Sequence, residues 1–427
     1  MNMYKIVKKG LVLYFGLMMS VIAMSQHYTL EQCYKDAEAL SPISRQNLYY
    51  ASIAELKQLN IKKSNLPQLS FSGQATFQSD VFELPFSIPG SESPVIPRDQ
   101  YRAALVLQQT IYNGGSANKY RAVVEAENDV NKQQVEVDLY QIKQLLNQLY
   151  FGILLNQEKV NIIISGNKTM KSQLLELESL VKNGVLLKSN LYSVKKELLI
   201  LDQQLIEAES DKLMLLRILE KWVGKEIDKG VPFAIPEVTI SPEEQTINRP
   251  ELLFFDVKSK QIEANKSMLA IRNHPKVVAF ANGGVGSPNP YNFFKTGWSE
   301  FYMVGVKVQW SVFDYGRKNN DMKMLDYQKD ILNSKKDNYL HLTEVNLIKN
   351  QQSIQKYEDL LMKDKEIVAL QKEVVKEMYS QLNNGVITST QYLTEVNGEL
   401  RSQINMKIHE LKLIESKIEV LTKSGNL

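Results

Sequence analysis

The chain has 427 residues, of which 44% are hydrophobic and 23% charged, a balance that excludes a disordered protein. Its formal net charge of +3 includes Lys5, Lys8 and Lys9, which lie in a segment predicted to be removed, so the mature chain is close to neutral. The sequence shows no concentrated run of basic residues, which argues against nucleic acid as a partner.

Residues 1–25 have the pattern of a secretory signal peptide. A lysine-bearing start leads into the apolar stretch LVLYFGLMMSVIA, and Ala23 and Ser25 occupy the −3 and −1 positions of a cut before Gln26. The alternative is a membrane anchor, but about 13 apolar residues are short of the roughly 20 that a spanning helix needs. We therefore expect an exported chain. Cys33 is the only cysteine, which excludes an internal disulfide.

The sequence is a duplication. LQQTIYNGG (107–115) aligns with VQWSVFDYG (308–316) at an offset of 201 residues, and Asn-Gly-Val recurs at 183–185 and 384–386 with the same offset. The pattern predicts a first repeat over 26–224, a linker over 225–248 and a second repeat over 249–427. Each repeat is expected to contain a helix, two strands and a long helical hairpin.

Each repeat begins with a predicted helix, over 29–64 in the first copy and 249–273 in the second. Pro67 and Pro275 end these helices, because proline lacks the N–H donor and biases the preceding residue away from helical angles. The hydrophobic period then changes to two, which predicts strands at about 67–112 and 275–313.

The predicted strands have the length of transmembrane β-strands, about 9–11 residues, and one apolar face. The half-buried sheet of a soluble protein is the alternative. KVVAFANGGVG (276–286) is the weakest of the strands, because it contains glycines and places Phe280 on the polar face. The connections at 81–97, with Pro85, Pro89, Pro94 and Pro97, and at 287–298 are expected to be loops beyond the membrane. The side chains predicted to face lipid are Leu69, Phe71, Tyr101, Leu105, Leu107, Tyr302, Val304, Val306, Val308 and Trp310.

A very long helix is predicted after each strand pair, over 116–182 and over 317–383, without a proline in either run. At about 1.5 Å per residue each would span on the order of 100 Å, so each needs neighbouring helices. The runs at 186–222 and 387–423 can return antiparallel to them. Gly184 and Gly385 are predicted to end the long helices in left-handed turns.

Four strands cannot close a transmembrane barrel, which needs about eight, and open edges are not tolerated in lipid. A membrane-spanning chain of this kind must therefore oligomerise. Over nearly all of its mature length the sequence resembles the TolC-like outer-membrane efflux protein (outer membrane factor) family. The resemblance is carried by YTLEQCYKDA (28–37), Arg249-Pro250-Glu251-Leu252, IYNGG, VFDYGR and the two Asn-Gly-Val tips.

The resemblance implies a mostly helical fold with a transmembrane β part in the outer membrane of a Gram-negative bacterium. A homotrimer would form a twelve-stranded barrel from four strands per chain, and the duplicated hairpins would form a periplasmic α-barrel. It further implies a passive channel of a tripartite efflux or type I secretion system, working with a periplasmic adaptor (membrane fusion protein) and an inner-membrane pump of the RND or ABC type.

The resemblance also implies sites at the hairpin tips. Some family members place inward-facing aspartates after the second tip, at positions held here by Gln391 and Thr394, with Glu395 one step away. This departure weakens the expectation of an acidic ring at the periplasmic constriction. The residues implied to dock onto the adaptor are Asn183, Gly184, Val185, Leu186, Asn384, Gly385, Val386 and Ile387.

The sequence can be compared with two other classes of protein. An enzyme is disfavoured because His27, His274, His341 and His409 are far apart, and the sequence contains no nucleophile motif, phosphate loop or metal-ligand spacing. No cofactor or metal is expected. A periplasmic coiled-coil adaptor or scaffold without a pore remains the alternative, although it would normally carry one hairpin and a membrane anchor.

Overall fold

The computed structural model describes residues 27–82, 95–240, 246–292 and 294–427. The predicted signal peptide and Pro85, Pro89 and Pro94 of the first loop lie outside these residues. The elements, in chain order, are α1 (Leu30–Leu40), α2 (Gln46–Lys63), β1 (Gln68–Phe77), β2 (Asp99–Tyr112), α3 (Ser116–Lys182), α4 (Lys188–Val223), α5 (Pro250–Ala270), β3 (Lys276–Ser287), β4 (Ser299–Gln309), α6 (Arg317–Asn383) and α7 (Ser389–Ser424).

The long helices α3 and α6 have the bounds that the sequence predicts, and each is 67 residues long. The return helices α4 and α7 begin two residues later than expected. None of the helices among the described residues is both long enough and apolar enough to cross a membrane.

The prediction of one helix over 29–64 is wrong, because the structure has two helices separated by residues 41–45. Ser41 is extended, with φ of −61° and ψ of 131°, although its N–H still donates to the carbonyl of Ala37. Pro42 follows directly, and a residue before proline is disfavoured in the helical region. The helix therefore stops there and restarts at Gln46.

The four strands form an antiparallel sheet in the order β1-β2-β3-β4. The register places Phe71 opposite Leu105, Leu107 opposite Ala281, and Ala281 opposite Val304, so the side chains predicted to face lipid share one face of the sheet. All ten residues predicted to face lipid are exposed in the single chain, with 41–83% of their surface accessible. Their contact with lipid remains a prediction.

The glycines that weakened the prediction of β3 allow this strand to pair. A Cβ at Gly284 would lie 2.0 Å from the carbonyl oxygen of Ala103 on β2, so that only glycine fits. Phe280 lies opposite Gly305, and a Cβ there would lie 2.8 Å from Cζ of the Phe280 ring. The ring fills the space that the glycine leaves, which is a known way to stabilise a glycine in a strand pair. This explains the aromatic residue on the polar face.

The turn from strand to long helix is the same in both repeats. Oδ1 of Asn113 accepts a hydrogen bond from the Gly115 N–H at 3.1 Å, and Oδ1 of Asp314 accepts one from the Gly316 N–H at 3.1 Å. Both glycines have positive φ, and Tyr315 shares this conformation with φ of 55°. The motifs IYNGG and VFDYGR are therefore the turns that begin α3 and α6.

The chain forms two compact units. Among the described residues, one unit contains 27–46, 135–252 and 337–427, and the other contains 47–134 and 253–336. Each unit takes segments from both predicted repeats, so the repeat boundaries describe the duplication and not the compact units. Those boundaries remain a prediction.

The core of the first unit joins the N-terminal segment to the linker that follows α4. Tyr150 of α3 is fully buried, and its hydroxyl lies 2.8 Å from the carbonyl of Tyr28 and 2.6 Å from that of Ala234. The Tyr28 N–H also donates to the carbonyl of Pro232. The described part of the predicted linker is thus packed against the core.

Candidate functional site

The two hairpin tips have the same backbone geometry. At the first, the N–H groups of Gly184 and Val185 donate to the carbonyls of Val181 and Leu180 at 3.1 and 3.0 Å. At the second, the matching donors are those of Gly385 and Val386, at 3.0 and 2.9 Å. Both glycines are left-handed, with φ of 78° and 70°. Such turns satisfy the last carbonyls of a helix and require glycine or asparagine at that position.

The tips present small and apolar groups to solvent. Val185 and Val386 are 53% and 71% exposed, and no atom would lie within 4 Å of a Cβ on either Gly184 or Gly385. Leu186 and Ile387, which are also among the residues implied to dock, are half-buried against an apolar cluster between the hairpins. Each tip therefore has an exposed glycine and valine, followed by a residue that packs against the apolar cluster.

That apolar cluster joins the two hairpins close to their tips. Each of the four helices α3, α4, α6 and α7 contributes to it. Its largest fully buried members are Met170, Leu177, Leu201, Leu382 and Tyr392.

Polar side chains connect the hairpins around this cluster. Oδ1 of Asn190 accepts a hydrogen bond from Oγ of Ser389 at 2.9 Å, and Oε1 of Glu197 accepts one from Nδ2 of Asn397 at 3.0 Å. The hydroxyl of Tyr379 donates to the carboxylate of Glu176. Burial is the main cause that raises the pKa of Tyr379 to about 12, and the hydrogen bond to this carboxylate is the second. Sequence reasoning missed these contacts, since nothing in the local pattern of either hairpin indicates its partner.

The three residues predicted at the constriction have hydrogen-bond partners within the second hairpin. Gln391 forms a capping box with Thr388 at the start of α7: its side chain accepts from the Thr388 N–H at 2.9 Å. Oγ1 of Thr394 donates to the carbonyl of Thr390 at 2.9 Å. Oε2 of Glu395 accepts from Nε2 of Gln371 on α6 at 2.8 Å. Gln391 and Thr394 are exposed, and their place in a constriction remains a prediction.

The connection from β3 to β4 folds back over the polar face of the sheet. Asn289 is buried, and its Oδ1 accepts from the Tyr291 N–H at 2.9 Å while its Nδ2 donates to the Glu300 carbonyl at 3.0 Å. Tyr291 then packs edge-on against Phe301, with ring centroids 5.5 Å apart. The Arg102 guanidinium lies 5.0 Å from the centroid of the same Phe301 ring. One end of the polar face is therefore lined by aromatic rings and an arginine.

Comparison with known proteins yields similarity in structure alone. No protein-family model and no curated protein matches the sequence. The outer membrane protein VceC of Vibrio cholerae is 13% identical, over 92% of this chain and 96% of that chain, with a TM-score of 0.66. The CmeC outer membrane channel of Campylobacter jejuni is 14% identical, over 93% and 85%, with a TM-score of 0.66.

The MtrE outer membrane channel of Neisseria gonorrhoeae, in its open state, gives a similar result. It is 12% identical, over 93% of this chain and 88% of that chain, with a TM-score of 0.66. These likenesses extend over both repeats of the chain. The fold predicted for the single chain is confirmed: it has the fold of bacterial outer-membrane channels of the TolC-like type. The assembly of three chains into one barrel remains a prediction.

Proposed function

We propose that the chain is a channel in the outer membrane of a Gram-negative bacterium and that it conducts solutes passively from the periplasm to the exterior. The observation that carries the proposal is the sheet. It has one apolar face that the described chain leaves exposed, and its outer strands β1 and β4 each have one unpaired edge. In lipid, the apolar face is satisfied and the edges pair with those of further copies.

Three copies provide twelve strands, which is enough to close a barrel, whereas four strands are too few. The long hairpins of each copy would then line a periplasmic duct. Solutes would cross both parts without any chemical change, so the proposal includes no catalytic residue and no cofactor.

The tips are the proposed docking surface for a periplasmic adaptor. Gly184 and Gly385 leave open space around each turn, and Val185 and Val386 are exposed beside them. These exposed apolar side chains are accessible to a partner. Through the adaptor, an inner-membrane pump of a tripartite efflux or type I secretion system would supply the energy.

Opening of the duct would require the hairpins to move apart near the tips. The contacts of Asn190 with Ser389 and of Glu197 with Asn397 would then be exchanged for contacts with the adaptor. Such an exchange describes an element with two states whose equilibrium is shifted by binding.

The competing hypothesis is a periplasmic scaffold that does not form a pore. It would leave the apolar face of the sheet in water, where Tyr302, Val304 and Val306 would each expose at least 67% of their surface. The structural likeness to outer-membrane channels also favours the channel.

The native mass of the detergent-extracted complex tests the proposal. Protein taken from a purified outer-membrane fraction should have the mass of three chains that each begin at Gln26. A monomer recovered from the soluble periplasmic fraction would leave the strands unable to span lipid, and would favour the scaffold.

A further inference from the structure

Charge is completely segregated between the two faces of the sheet. The strands contain five ionisable side chains with a charge at neutral pH. The three cations, Arg102, Lys276 and Lys307, lie on the polar face, since they alternate with the apolar set. The two carboxylates lie on the apolar face: Asp99 is opposite Phe77, and Glu300 is opposite Val285. The polar face of the four strands is therefore positive and contains no carboxylate.

The remaining side chains of this face do not alter its charge. β1 contributes only the uncharged residues Gln68, Ser70, Ser72, Gln74 and Thr76 to it, so pairing of β1 with β4 of another copy would bring no carboxylate beside Lys307. Within the described residues, none of the three cations forms an ion pair with a carboxylate, and Lys276 and Lys307 are exposed.

The cations lie at both ends of the face. Arg102 is opposite Gly286, and Lys307 is opposite Val278, so the two charges are eight residues apart along β3. At about 3.3 Å per residue this separation is on the order of 26 Å. Because the Debye length is about 8 Å at physiological ionic strength, each end would act on passing ions by itself. At low salt the two ends would act together.

We propose that the pore prefers anions and that the chain therefore serves the passage of anionic solutes, with Arg102, Lys276 and Lys307 determining this preference. The inference rests on the proposed function, because it requires the polar face to line the lumen. Three copies of the chain would place nine positive charges around a water-filled path with low-dielectric walls. Such an arrangement concentrates anions and repels cations.

Reversal potentials of the purified full-length protein in a planar bilayer test this proposal. In a gradient of potassium chloride, the sign of the potential should correspond to a chloride permeability above that of potassium. The combined variant Lys276→Gln/Lys307→Gln should bring the permeability ratio towards one, and adding Arg102→Gln should bring it closer still. Lowering the salt concentration should increase the anion preference of the wild type and have much less effect on the triple variant.

Two control variants separate charge from structure. Lys307→Arg keeps the charge on the polar face, and Glu300→Gln removes a charge from the other face, so both should keep the wild-type ratio. A wild type that prefers potassium, or a triple variant with an unchanged ratio, would overturn the proposal. Absence of any conductance would instead count against the channel itself. Because Lys276 and Lys307 are exposed, their substitution leaves the packing of the sheet intact.

Discussion

At Gly284, β2 and β3 approach each other closely because this residue has no side chain. A Cβ there would lie 2.0 Å from the carbonyl oxygen of Ala103 and 2.7 Å from Cα of Ala104. Both atoms belong to the backbone of β2, which cannot move aside as a flexible side chain could. The neighbouring Gly283 is different, since the nearest atom to its Cβ position is 3.7 Å away.

Alanine at these two neighbouring positions should therefore have opposite outcomes. Gly284→Ala should separate β2 from β3 and cost about 1–3 kcal/mol, as overpacking generally does. Gly283→Ala is the matched control and should be tolerated. The yield of heat-resistant oligomer in the outer-membrane fraction measures the difference. Equal yields for both variants would show that the strands can shift to make room.

Arg249 connects several helices of the first unit. It is the first residue of the motif that opens the second repeat. It is buried, and its Nε lies 2.9 Å from Oε2 of Glu251 while its Nη1 donates to the carbonyl of Thr422 at 2.8 Å. Its guanidinium also stacks over the Tyr140 ring at 4.4 Å. Arg249 thus joins the start of α5 to the end of α7 and to α3.

Removal of the Arg249 charge should be strongly destabilising, because it leaves the buried Glu251 carboxylate without its partner. We expect Arg249→Met to cost about 3–5 kcal/mol, and Arg249→Met/Glu251→Leu to cost less, since it removes both charges. Thermal unfolding of the solubilised protein, followed by circular dichroism, measures both. If the double variant unfolds as easily as the single one, the lost contacts with Thr422 and Tyr140 are the main cause.

At the scale of elements, the two hairpins are held together by an apolar cluster and a few polar bonds. The bonds made by Tyr379, Ser389 and Asn397 all connect the second hairpin to the first. Each contributes about 0.5–1.5 kcal/mol if it behaves as a typical hydrogen bond. Their sum is enough to influence an equilibrium between closed and open tips.

The triple variant Tyr379→Phe/Ser389→Ala/Asn397→Ala should therefore open more often. A loss of about 1.4 kcal/mol corresponds to a tenfold change in the equilibrium, so at least this increase in open probability is expected in single-channel recordings. Ser416→Ala is a suitable control, since its hydroxyl donates to the Lys412 carbonyl within α7 and so does not connect the hairpins among the described residues. An unchanged open probability would show that the apolar cluster alone keeps the tips closed.

The tip glycines have two roles, one in forming the turn and one in the proposed docking surface. Different substitutions can separate these roles. Asn and Asp tolerate the left-handed conformation, so both should preserve the turn at Gly385. Gly385→Asp adds a charge to the proposed docking surface and should abolish export while the oligomer stays intact. Gly385→Val should also disturb the turn itself, at about 1–2 kcal/mol. Gly184 should respond in the same way.

Cargo export by cells that carry the partner pump is the measurement, with oligomer yield as the control for folding. Gly385→Asn, which preserves the turn without charge, is the matched variant. Unchanged export in the Asp variants of both tips would count heavily against the docking role.

At the scale of the whole molecule, the sequence predicts most of the fold, because its signals are local and repeated. The ends of α3 and α6 follow from the turn motifs and the Asn-Gly-Val tips, which recur at one offset. The break at Pro42 was missed, although the residue before a proline indicates it. The role of Phe280 could not be predicted, since it depends on a glycine in another strand. The bonds between the hairpins were missed for the same reason.

The candidate site is less predictable than the fold. The turns at Gly184 and Gly385 follow from the sequence, but the inward packing of Leu186 and Ile387 depends on contacts with other helices. The positive charge of the polar face could not be predicted without the strand register, which shows that Lys276 and Arg102 share a face with Lys307. Periodicity assigns a residue to a face of its own strand, and only pairing relates one strand to the next.

The unpaired edges of β1 and β4 have a consequence for biogenesis. If the chain is exported as proposed, a single new copy would expose two rows of backbone donors and acceptors together with an apolar face, and such edges promote aggregation. In the proposed channel, the strands are stabilised only when copies meet at the membrane. Assembly with further copies would therefore compete with aggregation through the strand edges in the periplasm. Cells that overproduce this chain should need more of the periplasmic chaperones that prevent aggregation of unfolded chains.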